Sequence, residues 1–76
     1  MNEQGLVLKK IRGEQKKSEF CAAFDMPPSQ YHRIESGELN FPEKYLPKFK
    51  DEFGENDAML LKQAMVKDYW NKLAPI

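Results

Sequence analysis

Two adjacent prolines, Pro27 and Pro28, divide this chain more firmly than any other feature. Proline lacks the amide hydrogen that a helix interior needs, and its ring pushes the preceding residue toward extended backbone, so no helix runs through the pair. In the first turn of a helix, by contrast, the missing amide has no intrahelical partner to lose. Pro28 therefore reads as the opening of a helix that ends near Ser36 and Gly37. The residues before the pair supply the matching end. Phe20 and Phe24 lie four apart with Cys21 and Ala22 between them, and Asp25, Met26 and Pro27 interrupt the helix they begin.

The rest of the chain keeps to helical periodicity. Leu8 and Ile11 share one face of a segment from about Gln4 to Arg12, Lys9 and Lys10 occupy the others, and Gly13 is placed to end it. Ser18 is a candidate cap for the second helix, with Lys16 and Lys17 at or just before its start. Residues 38 to 42 read as a loop. Pro47 then starts a fourth helix carrying Leu46, Phe49 and Phe53 before Gly54, and a last helix runs from about Asp57 to Leu73. No stretch alternates as a strand does. The expected fold class is all-α, with five helices in one domain spanning residues 1 to 76. A chain this short buries only roughly 60% of the surface its unfolded form exposes, so dimerisation is a natural further source of stability.

Two helices cross closely only if a small residue sits at the crossing and each contributes an apolar pair. Cys21 is that small residue, Phe20 and Phe24 are one pair, and Tyr31 and Ile34 are the other. Ser29, His32, Arg33 and Ser36 then share the opposite face of the third helix, at spacings of three, four and seven. The stretch from Lys17 to Gly37, KSEFCAAFDMPPSQYHRIESG, resembles the helix-turn-helix of the lambdoid phage repressors and the wider XRE family. Its ending, RIESG, is the most specific element. In that family an apolar residue, a glutamate and, two positions later, a glycine close the recognition helix, and Ile34, Glu35 and Gly37 match. LKKIR at Leu8 to Arg12, and Pro42, Leu46, Pro47, Phe49, Phe53 and Gly54, extend the likeness over most of residues 6 to 54.

The resemblance implies a lambda-repressor-like DNA-binding domain with its helix-turn-helix at about residues 17 to 36, and an ion pair between Arg12 and Glu35. It also implies a sequence-specific transcriptional regulator of the small phage or bacterial repressor or controller type. In such a complex the Pro28 end of the third helix enters the major groove while the start of the second rests on a phosphate. Arg33 is the first candidate for base reading, because a guanidinium meets both acceptors of a guanine edge, worth roughly 1–3 kcal/mol of discrimination. Ser29 and His32 reach neighbouring bases or phosphates, with Gln30 at the rim. Lys16, Lys17 and the backbone near Asn40 set register more than sequence. The chain departs from the family at several contact positions. Lys17 stands for a glutamine, Asp25 for the turn glycine, Pro28 for a base-reading polar residue and Glu38 for a phosphate-binding base, and the link between the first two helices is short.

Charge leaves a second reading open. Twelve Lys and Arg balance twelve Asp and Glu, which gives no general attraction to nucleic acid. Lys9, Lys10, Arg12, Lys16 and Lys17 cluster early, whereas residues 34 to 57 are rich in carboxylates, so a basic side and an acidic side are expected. With Pro28 and Glu38, this supports an alternative: a protein-binding module on the same scaffold, an antirepressor or inhibitor of a host system that does not bind DNA. Catalysis is not expected, since there is no glycine-rich phosphate loop, no paired His and Cys and no carboxylate cluster with calcium spacing. No cofactor or metal is expected either. The aromatic residues and the single Cys21 read as packing.

The last helix carries more apolar residues than one core-facing stripe needs. Leu61, Met65, Tyr69 and Trp70 are the candidate dimer interface. A symmetric homodimer sets two recognition helices about one DNA turn apart, roughly 34 Å, and favours a palindromic operator in double-stranded DNA. No apolar run reaches membrane-spanning length, and Met1 to Gly5 lacks the layout of a secretion signal, so the cytoplasm is the default compartment.

Overall fold

Most helix boundaries have a local chemical cause in the computed structural model, which describes residues 2–73. The start of the second helix is an exception, since Lys16 precedes it without a side-chain cap and Ser18, the expected cap, lies inside it. Helix α1 (Glu3–Arg12) starts where the Asn2 side chain accepts a 2.8 Å hydrogen bond from the Gly5 amide, and it stops at Gly13, whose φ of 60° suits glycine. Helix α2 (Lys17–Ala22) is followed by a tight turn and α3 (Pro28–Glu35). In that turn Asp25 takes a left-handed φ of 58°, and the Met26 amide donates back to the Cys21 carbonyl at 3.1 Å. Aspartate tolerates this conformation better than most residues. Pro27 is extended and Pro28 is the first residue of α3, as the proline pair requires.

A single 3-10 turn (Glu43–Tyr45) leads into α4 (Leu46–Phe53), and α5 (Glu55–Leu73) begins two residues earlier than its apolar pattern suggests, directly after Gly54. The described residues thus form five α-helices and no strand. No described helix is long and apolar enough to cross a membrane.

The short helix α2 is the hub of the core. Phe20, fully buried, sets its ring 5.3 Å from Phe24, 5.4 Å from Tyr31, 6.3 Å from Phe49 and 5.0 Å from Phe53. Cys21, Phe24, Tyr31, Ile34, Leu8 and Leu61 are equally sealed from solvent. The edge-on pairs among these, Phe20 with Phe24, Tyr31 and Phe49, add about 0.5–1.5 kcal/mol each beyond the area they bury. Two residues outside the periodic segments join them: Met26 in the turn and Phe41 in the loop after α3.

A second set of contacts ties α1 to α3 and α5. Gly5 lies against the end of α3, so close that a Cβ there would come within 2.6 Å of the Glu35 carbonyl oxygen. Asp68 reaches from α5 to the start of α1, and its two carboxylate oxygens accept the Glu3 and Gln4 amides at 2.8 and 2.9 Å. A carboxylate satisfies amides that have no partner within the helix and opposes the positive end of the helix dipole. The Gln4 side chain, buried, accepts the Phe41 amide and donates to Asn40 Oδ1 at 3.3 Å, which pins the loop to α1.

This clasp decides which stripe of α5 faces inward and corrects the expected dimer interface. Ala58, Leu61 and Ala64 are buried and Met65 packs partly against the same core, so Leu61 is not available to a second copy. The small Ala58 and Ala64 permit the close approach. The outward stripe instead carries Met59, Val66, Tyr69, Trp70 and Leu73, each about half exposed.

Candidate nucleic-acid interface

The outer face of α3 is fixed from beneath. Tyr31 and Ile34 are fully buried, and helical geometry then turns Ser29, His32, Arg33 and Ser36 to solvent, where all four are exposed. Pro28, also exposed, opens the helix and has no amide to offer, so α3 presents fewer free donors at its start than an ordinary helix. Gln30 is half-buried and accepts the Tyr45 hydroxyl at 3.4 Å, which places it at the edge of this face.

Lys17, at the start of α2, reaches across to α3. Its ammonium lies 3.1 Å from His32 Nδ1 and 3.7 Å from Glu35 Oε1. An ammonium has only donors, so His32 Nδ1 accepts and the ring's own hydrogen sits on Nε2. His32 therefore carries a donor suited to a phosphate oxygen or to an acceptor on a base edge. Lys16, exposed, precedes α2 on the same side of the sequence. Asn40 stands apart from this group. Its side chain is held by Gln4, and it lines a groove of about 470 Å³ between α1, the loop and α5, together with Phe41, Met65 and Tyr69.

Beneath the face runs a charged network that joins α1 to the end of α3. Arg12 Nε lies 3.3 Å from Glu35 Oε2 and 3.3 Å from the Tyr31 hydroxyl, Nη2 lies 3.4 Å from Glu35 Oε1, and Nη1 donates to the Gln15 carbonyl at 2.9 Å. The pair that the resemblance implies is thus present. Burial alone pushes the Glu35 carboxyl upward, but the Tyr31 hydroxyl and the charges of Arg12 and Lys17 outweigh it and hold it below its ordinary value. The Tyr31 phenol is pushed well up, by burial first and then by its hydrogen bond to Glu35. Burial likewise pushes the Cys21 thiol up to about 11, consistent with a packing role.

A carboxyl whose folded value is depressed binds protons more readily in the unfolded chain, so it adds stability above its ordinary value and loses it as pH falls through the folded one. Thermal midpoints should therefore drop below about pH 4.5, the ordinary glutamate value. Glu35→Gln should lower the midpoint at pH 7 and flatten this acid limb. An acid limb as steep in the variant as in the parent would remove Glu35 from the account.

Two cations on this face, Lys17 and Arg33, have carboxylates beside them. Arg33 Nε lies 3.6 Å from Glu38 Oε2, with the two side chains 58% and 62% exposed. An exposed pair of this kind is worth about 0–1 kcal/mol, so either member exchanges partners cheaply. Its cause is the end of α3. Gly37, at φ 91°, turns the chain back so that the Glu38 amide donates to the Arg33 carbonyl at 2.8 Å and the Gly37 amide to that of Ile34 at 3.1 Å. Such a helix ending sets the side chain two places beyond the cap beside the third residue from the helix end. Sequence reasoning treated Glu38 as a repulsive charge and missed the pair, although the glycine that produces it is part of the RIESG signature.

Comparison of the chain with protein-family models, with curated proteins and with solved structures finds no match to any of them.

Proposed function

We propose that this protein is a sequence-specific DNA-binding transcriptional regulator with a lambda-repressor-like fold, whose α3 enters the major groove. The observation that carries the reading is the outward face of Ser29, His32 and Arg33, held rigid by buried Tyr31 and Ile34 and flanked by Lys17. Arg33 is the base reader. His32 and Ser29 meet adjacent bases or phosphates, and Lys16 and Lys17 position the protein on the backbone. A second copy docks through the outward stripe of α5 around Tyr69 and Trp70, which gives a homodimer on a palindromic operator. Occupying a promoter is the simplest mechanism of regulation.

The test is selection of preferred sequences from a randomised duplex pool, followed by binding measurements at two salt concentrations. Parent affinity should fall steeply with salt, because phosphate contacts release counterions. Arg33→Ala should lose preference at a guanine position by about tenfold. Unchanged sequence preference in Arg33→Ala would sink the role assigned to that side chain.

One observation favours the alternative of a protein-binding module without DNA: Lys17 and Arg33 already have the carboxylates of Glu35 and Glu38 beside them. Absence of any salt-dependent affinity for the duplex pool decides for it.

A further inference from the structure

The geometry points to Glu38 as the positioning residue for Arg33, one that orients the guanidinium for base reading at the expense of general DNA affinity. The inference rests on the DNA-binding proposal above. An arginine on an exposed helix face samples many rotamers, and each must be given up when it forms two parallel hydrogen bonds to one base. Here a carboxylate already beside the side chain narrows that set before DNA arrives. The glycine turn at Gly37 returns the chain across the last turn of α3, and the Glu38 carboxylate engages Arg33 at Nε, 3.6 Å away. The single hydrogen of the Ser36 hydroxyl goes to the nearer Arg33 carbonyl at 3.0 Å, with Glu38 Oε2 at 3.5 Å the weaker alternative acceptor, so Glu38 is placed chiefly by the backbone turn.

Engagement at Nε leaves both terminal nitrogens of the guanidinium, and it is a pair of adjacent N–H donors that matches the two acceptors of a guanine. The same carboxylate is a like charge to every phosphate. It weakens binding to any duplex by a similar factor, whatever the sequence. Preferred and unrelated sequences thus lose affinity together, while only the preferred one gains from an arginine already oriented. Specificity is a difference between affinities, so the common repulsion cancels in it and only the oriented arginine raises it, while the repulsion keeps binding to unrelated sites low.

The experiment uses the whole chain. A preferred duplex is selected from a randomised pool with the parent protein. Parent, Glu38→Gln and Glu38→Asp are then measured on that duplex and on a scrambled duplex of the same composition. Glu38→Gln should bind the scrambled duplex more tightly than the parent does, and the ratio of preferred to scrambled affinity should fall about threefold, in keeping with an exposed ion pair. Glu38→Asp keeps the charge but is one methylene shorter, so it should lower the ratio without tightening the scrambled duplex. Circular dichroism melts confirm that the exposed substitutions leave the fold intact. If Glu38→Gln tightens both duplexes by one common factor, Glu38 is a repulsive charge only and the inference is overturned while the DNA-binding proposal stands. If the parent enriches no sequence, the underlying proposal fails and takes this inference with it.

Discussion

Phe20→Ala should cost about 3–5 kcal/mol, the range for removing a fully buried aromatic ring. Small domains are stable by only about 5–15 kcal/mol, and a chain of this size belongs near the lower end, so the variant should be largely unfolded at physiological temperature. The reason is positional. Helix α2 is only six residues long and cannot hold itself together, since a helix this short is unstable in isolation. It is held by Phe20 and Phe24, whose rings also touch α3, α4 and the Phe41 loop. Losing Phe20 therefore releases the element on which α3 is seated, and with it the proposed interface. Urea unfolding followed by circular dichroism gives the measurement, with Phe53→Ala, at a half-buried position, as the milder comparison. A loss below about 1 kcal/mol for Phe20→Ala would contradict the hub role.

Gly5→Ala should also destabilise, against the usual rule. Glycine inside a helix is normally worse than alanine by roughly 0.5–1 kcal/mol, so propensity alone favours the substitution. Contact decides otherwise. The new Cβ would lie 2.6 Å from the Glu35 carbonyl oxygen and 3.2 Å from its carbon, and backbone of a neighbouring helix does not swing aside as the end of a flexible side chain does. Overpacking of this kind costs about 1–3 kcal/mol, which exceeds the propensity gain. Gly5→Val should reach about 3 kcal/mol or more, because two further methyl groups enter the same gap. The two variants form a graded series, and a higher melting temperature for Gly5→Ala than for the parent would show that α1 and α3 separate freely.

The features readable from sequence are those whose cause is local. Pro28 opens α3, Asp25 takes the left-handed turn, Gly13 and Gly54 end their helices, and Phe20, Phe24, Tyr31 and Ile34 face inward at the helical spacings that place them there. The outward placement of Ser29, His32 and Arg33 follows from the same periodicity. What escaped depends on residues far apart in the chain. Gly5 looks like any helix residue until the end of α3 is laid against it. Asp68 looks like a solvated charge on an amphipathic helix until the start of α1 appears beside it, and Phe41 stands in a segment with no periodicity to mark it as core. Leu61 was misplaced for a related reason. Helix α5 has apolar residues on most sides, so its pattern cannot say which stripe the domain uses and which it leaves outside. Glu38 is the intermediate case, since the turn that brings it to Arg33 is written in Gly37, but the meeting of the two side chains is visible only once that turn is built.

The grip of Asp68 on the amides of Glu3 and Gln4 spans more than sixty residues of chain. During synthesis the first helix emerges long before the carboxylate that completes it, and contacts closed over such a separation form late. Until then its leading amides have only Asn2 and water. The two-helix element leans on the same core as α5, through Leu61, so it takes its folded form only once the last helix has docked.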